Sequence, residues 1–294
     1  MSLEELLYSR MSSYTPMTDH LSKYRGVPSV FYQKAPDDTD SGWTGKQYPR
    51  VVTSLNLQAN TERKSAGTFV ASVYCDTTGE DPETISPEIV ESLKDVILND
   101  GKTSYAFAWS RTDPFELLGE TDRRVIGQDV RFDVLEMPVQ EITDPDPVEA
   151  METMMAGFLP NAKVIGKSDL NQIVIASAES PVIYVGFETA SIDYETFAFT
   201  WIRTKVSIHV ICPDLFVRLK TCMAIAQELS EHDEIMMSDG SSMRAESVSV
   251  DNRTDYLQTG QISVILRYGI INHRNAPNRM MHAYLSAEFK ERKE

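Results

Sequence analysis

The chain has 294 residues, 41 % of them apolar, which is enough to bury a core in each of two domains of ordinary size. Its 44 acidic and 28 basic side chains leave a formal net charge of −16, which excludes a broad grip on nucleic acid, because phosphate binding runs on Lys and Arg. Cys75, Cys212 and Cys222 form no CxxC pair and histidine is sparse, so neither a zinc site nor a disulfide framework is expected, and the cysteine usage favours a reducing compartment. No stretch approaches the roughly 20 apolar residues that cross a bilayer. The acidic start, Met1–Leu7, lacks the apolar segment of a signal peptide. The expectation is a soluble protein made in the cytosol.

In chain order, Leu3, Leu6, Leu7 and Met11 put an apolar stripe on a first helix, which Pro16 interrupts. Val27–Tyr32 reads as a short strand. Residues 34–45 form a polar loop containing Asp37, Asp38, Asp40 and a lone Trp43. Tyr48-Pro49-Arg50-Val51-Val52 resumes a strand with proline at its start, and Thr68–Cys75 returns beside it. Ser86-Pro87-Glu88 has the form of a helix start, with Ser86 as cap and a stripe running to Leu98. Strands around Tyr105–Ser110 and Val125–Leu135 close the first half.

Residues 141–147, with two prolines among acids, read as a stiff, solvated connector. The order then restarts. Val148–Leu159 is a helix, and Ser180-Pro181-Val182-Ile183 parallels the earlier proline-led strand entry. Phe197–Cys212 is a long strand, with Phe197, Phe199 and Trp201 expected in the core. Asp214 caps a helix to Leu229, with Leu215, Leu219, Met223, Ala226 and Leu229 facing inward. Ser247–Val250 and Gly260–Tyr268 are the closing strands. The fold class expected is α+β: two similar domains, 1–140 and 148–271, each an antiparallel or mixed twisted sheet packed on helices. A C-terminal arm, 272–294, follows. The net charge divides unevenly, roughly −11 over 1–147 and roughly −5 over 148–294.

No catalytic, cofactor or metal motif emerges. Gly45-Lys46 and Gly101-Lys102 lack the frame of a P-loop, and neither GxSxG nor HExxH occurs. The serines near His209 share an alternating strand with it, which makes them pleat neighbours rather than triad members. Asp37 and Asp38 sit in an oxygen-rich loop without an EF-hand pattern, so a solvated acidic loop is the stronger reading. Candidate residues are therefore interfacial. Trp43 in a polar loop has the character of a partner anchor. Asp37 and Asp38 lie in the same loop. Arg123 and Arg124 follow Glu120 and Asp122, where a local surface ion pair is the default. Met281, Leu285 and Phe289 share one face of an amphipathic, basic terminal segment, read either as a docking arm for a neighbouring subunit or as a helix folded back on its own domain.

These features resemble the tail terminator, or tail completion, family of long-tailed bacteriophages. The likeness is carried by the leading helix Leu3–Met11, the Tyr48-Pro49-Arg50-Val51-Val52 entry, the strand Thr68–Cys75, the helix Pro87–Leu98 and the Arg123-Arg124-Val125-Ile126-Gly127-Gln128-Asp129-Val130 strand, with the second half matching in outline. The resemblance implies a structural virion protein with no bond made or broken. It implies a ring, usually of six subunits, that caps the tail tube, stops its growth and meets the neck, with the sheath a further contact. DNA would pass through the ring without specific binding. The site would be the virion tail or neck, assembled in the bacterial host cytoplasm. A tandem chain departs from the family's single-domain pattern, and three or six copies would each satisfy sixfold matching. Another head–tail connector or a tail tube protein is the alternative; an enzyme on a duplicated scaffold is a third.

Overall fold

The computed structural model describes residues 1–58, 65–118, 124–232 and 234–272. Helix α1 (Leu3–Ser13) begins at a capping box in which the Ser2 hydroxyl accepts from the Glu5 N–H while the Glu5 carboxylate accepts from the Ser2 N–H. Its buried residues are Leu3, Leu6, Leu7 and Met11, the stripe expected from spacing. The single turn α2 (Thr15–Thr18) carries Pro16 at its start, where a missing N–H costs nothing. A small ribbon, β1 (Lys23–Tyr24) with β2 (Val27–Pro28), precedes β3 (Val30–Tyr32). Strand β3 lies parallel to β4 (Arg50–Leu57), which pairs antiparallel with β5 (Gly67–Asp76). Along β5 the residues alternate between core and open face, the period expected of a half-buried strand.

Helix α3 spans Pro82–Leu93, so Ser86 is not its cap. Asp81 is, accepting the Glu83 N–H at 3.1 Å, and Pro82 holds the first position. The helix ends where Asp95 takes φ 53°, and Val96, Ile97 and Leu98, expected on its stripe, leave as strand β6 (Val96–Asn99). These three apolar residues are all buried, as in a strand covered on both faces, so they show no helical period. Two long strands follow, β7 (Thr103–Leu118) and β8 (Arg124–Pro138), paired along nearly their whole length.

The end of the stretch 141–147 is packed, which corrects the expectation of a wholly solvated connector, although Glu141 and Asp144 remain exposed. Pro145, Asp146 and Pro147 are buried. Asp146 accepts the N–H groups of Val148 (2.7 Å) and Glu149 (3.2 Å) as N-cap of α4 (Pro147–Phe158), and also that of Ile142. Beyond it come β9 (Lys163–Val164), β10 (Ile173–Ile175), β11 (Val182–Glu195), β12 (Phe199–Ile211), α5 (Leu215–Glu231), β13 (Ile235–Met236), β14 (Ser242–Val250) and β15 (Ile262–Ile271).

The architecture is mixed α/β: two curled sheets, predominantly antiparallel, with few helices and more sheet than helix. The seven-stranded sheet runs β10-β6-β7-β8-β5-β4-β3 and the six-stranded sheet β13-β14-β15-β12-β11-β9. Leaving out β10, the orders correspond strand for strand, including a parallel edge pair (β3/β4 and β9/β11) next to a hairpin (β4/β5 and β11/β12). One core packs α1 and α3 on the first sheet and a second packs α4 and α5 on the other. A third cluster joins the sheets: Ile97, Ala106, Leu135, Met137 and Val174 of the first meet Val182, Tyr184 and Ile211 of the second. Strand β10 crosses the expected boundary at 140–148 and pairs with β6 on the edge of the first sheet.

Candidate interaction surface

Trp43 is half-buried and packs inward, so it does not present a free anchor. Its indole N–H donates to the Asp37 carbonyl at 2.9 Å, and its ring meets Tyr24 and Phe31 edge-on at 5.1 and 5.7 Å. The Arg50 guanidinium lies 5.7 Å from the indole and pairs with Asp38 at 2.7 Å, while Tyr48 donates to the same carboxylate at 2.9 Å. Asp38 is thus spent inside the fold; Asp37 contributes a backbone carbonyl to the clamp and its side chain faces solvent. The loop borders a 330 Å³ cavity shared with Tyr74, Leu117 and Val125. Arg124 pairs across the hairpin with Glu116 (Nη2–Oε2 2.8 Å), while Glu120 and Asp122 lie outside the described residues. Arg123, Met281, Leu285 and Phe289 lie outside the described residues. Among the described residues, no group of three or more His, Cys, Asp or Glu side chains is arranged to hold a metal ion.

Where the two sheets diverge, a 550 Å³ cleft is lined by Tyr184, Lys205, Ser207, His209 and Glu188. Ser207 Oγ lies 3.3 Å from His209 Nε2, and His209 Nδ1 lies 2.8 Å from the Tyr256 carbonyl. A carbonyl only accepts, so the network assigns the proton to Nδ1 and leaves Nε2 to accept from Ser207. Burial lowers the His209 pKa and keeps the ring neutral. The group bonded to Nδ1 is a carbonyl rather than a carboxylate, and the nearby charges of Glu188 and Asp255 do not outweigh burial, so the pair reads as a satisfied strand-to-loop contact. Burial also pushes the Cys75 thiol up to about 12 and Cys222 up to about 11, which silences both as nucleophiles.

The largest departure from expectation is the β11–β12 hairpin. Every residue of β11 from Glu188 to Glu195 is exposed. Phe197 is 75 % exposed, Ile192 67 %, Tyr194 59 % and Phe199 43 %, so Phe197 and Phe199, expected in the core, stand in solvent, while Trp201 is half-buried. Ile271, paired in register with Phe199, extends the apolar group onto β15. One face of the hairpin is held by ion pairs: Arg203 with Asp193 (3.1 Å) and Glu246 (2.7 Å), and Arg267 with Asp193 (3.0 Å). Lys205 adds Glu188 at 2.6 Å, and the Arg267 guanidinium sits 5.3 Å from the Trp201 ring centre. Asn272 ties the end of β15 to the tip, donating from its backbone to Ala198 O (2.8 Å) and from Nδ2 to Thr196 O (3.0 Å). An exposed apolar group of this kind marks an interaction site more often than a bare surface. Single exposed pairs are worth little, but a linked set orders the strands that carry the apolar side chains.

Helix α5 shows a second such face. Cys222, Ile225 and Leu229 point inward, whereas Leu215 and Met223, expected inside, are 55 % and 54 % exposed beside Phe216 at 79 %.

No protein-family model matches the sequence, and no curated protein matches it.

Proposed function

We propose that the chain is a structural subunit of a phage-type virion, a tail terminator that rings the head-proximal end of the tail tube, ends its polymerisation and joins it to the neck. The observation that carries this reading is the β11–β12 hairpin, whose apolar tip is exposed in a single chain and would be covered in a ring. The matching strand orders support a second element, that the halves are copies of one sheet-and-helix module. Both copies carry a β-bulge on the corresponding strand, between Trp109 and Arg111 in β7 and between Ala245 and Ser247 in β14. The acidic balance suits a channel wall along which DNA slides without being held. Six copies fit best, because the halves differ in charge and in which hairpin carries the apolar tip. Electron microscopy and particle mass of the purified chain test the proposal. Closed rings of six support it; a stable monomer at micromolar concentration overturns it, and open tubes grown unaided point to a tube protein instead.

A second reading, an enzyme with its site at the junction, draws on Glu152. Its carboxyl is buried and pushed up to about 7, with Asp146 and Glu149 nearby. Asp146 is occupied as the α4 cap, however, and Glu149 pairs with Lys167 at 2.8 Å, so neither is free to share a proton with it.

A further inference from the structure

Two adjoining cavities of about 410 and 530 Å³ form one groove between α3 and β7, running from Pro87 to the 253–257 loop. Its floor is apolar: Val90 and Trp109 are shared by both cavities, and Phe107 and Phe132 lie deeper. Trp109 is 54 % exposed, an unusual setting for an indole held only by a 3.2 Å bond to Thr112 Oγ1. Glu83, Glu91 and Asp255 line the groove with negative charge, which Arg253 and Lys94 offset in part, Lys94 pairing with Glu91 at 3.0 Å. Asp95, 4 % exposed, also borders it, and its Oδ2 has no hydrogen-bond partner.

We propose that this groove receives the C-terminal segment 273–294 of a second copy of the chain, with Met281, Leu285 and Phe289 on Trp109 and Val90 and the basic side chains on the acidic rim. The segment matches in chemistry. Its apolar residues recur every four positions, which a helix would bring to one face over about 12 Å. Arg279, Lys290, Arg292 and Lys293 make it a basic stretch in an otherwise acidic chain. The point of departure favours a neighbour. The chain leaves at Ile271, while the groove ends beside the loop that enters β15 at Ile262; ten strand residues put these about 30 Å apart. The eight residues 273–280 cover about 27 Å only when fully extended, so a chain's own tail reaches its own groove at the limit of its length. A neighbour's tail has no such limit.

The inference rests on the self-assembly proposed above, and disulfide trapping separates the two. The three native cysteines are buried and serve as a quiet background. Full-length Glu91→Cys and Ser286→Cys chains are mixed, oxidised and resolved by mass, with particle mass read on the same samples. The expected product is a two-chain species joining one of each variant, well above either variant alone. Adding Trp109→Glu to the Glu91→Cys chain should cut its yield about tenfold, and Glu83→Lys, at an exposed position that leaves folding intact, should also lower it. Absence of the mixed species, indifference to both added changes, or an intrachain bond in the doubly substituted chain overturns the inference. Rings without the mixed species overturn it while leaving the ring; the mixed species without rings supports it and counts against the ring.

Discussion

Tyr256, in the loop between β14 and β15, donates its phenolic hydrogen to Asp95 Oδ1 at 2.6 Å, tying that loop to the turn between α3 and β6. The Arg218 guanidinium stacks over the Tyr256 ring at 4.2 Å, and burial, followed by the bond to Asp95, raises the phenol's pKa. Tyr256→Phe leaves a buried carboxylate with neither oxygen bonded. The expected loss is about 2 kcal/mol in urea denaturation. Asp95→Asn in the same background should recover part of it, because the stranded charge is gone. An unchanged midpoint for Tyr256→Phe would show that the contact contributes nothing.

Glu152 sets a pH dependence whose sign follows from its environment. Burial raises its pKa from 4.5 to about 7, Lys167 opposes this, and Asp146 and Glu149 add to the rise. The folded state therefore holds the proton more tightly than the unfolded chain. The stability this contributes is complete below pH 4.5, declines as pH rises toward 7, and is gone above it. Glu152→Gln removes the titration. The variant should exceed the parent by on the order of 2–3 kcal/mol at pH 8 and differ little at pH 4, measured by denaturant titration at both.

Trp43→Ala should weaken the fold and spare assembly. The indole contacts Tyr24, Phe31 and Arg50 within its own chain, so truncation empties a half-buried aromatic cluster and costs about 2 kcal/mol. Thermal melting and particle mass of the same sample distinguish this from a partner anchor, for which the mass would fall and the melt would hold.

Phe197→Asp should do the reverse. At 75 % exposure the side chain contributes little to the monomer, so stability should stay within about 0.5 kcal/mol of the parent. Light scattering should report loss of the assembled species. Full assembly in Phe197→Asp and in Tyr194→Asp alike would remove the hairpin tip from the interface.

Local signals in the chain located most elements. The stripe of α1, the Asp214 cap of α5 and the alternation of β5 were all legible, because each depends on neighbours a few residues apart. What was not legible depends on distant partners. Val96-Ile97-Leu98 continues a helical-looking apolar run, and pairing with the distant Ile173–Ile175 on one side and with Ser104–Tyr105 on the other makes it a strand. Apolarity predicts burial for Phe197 and Phe199, and no local pattern says whether a strand outruns the helices that cover it. The same limit applied to Leu215 and Met223: several faces of α5 are apolar, and the sheet selects Cys222, Ile225 and Leu229. Asp81 followed by Pro82 carries the same cap signal as Ser86-Pro87 one turn later, and local sequence does not choose between two such starts. Trp43 looked like an outward anchor because polar neighbours in sequence conceal aromatic neighbours in space.

Strand β10 has a practical consequence for anyone dissecting the chain. A fragment ending near residue 140 would strip Ile173–Ile175 from β6 and bare the backbone of a short strand with three apolar residues in four, inviting aggregation. The complementary fragment would carry those three residues with nothing to pair against. Any attempt to make the halves separately should graft the 170–176 segment onto the first, and a flexible spacer inserted between them would unlatch a border strand rather than lengthen a tether.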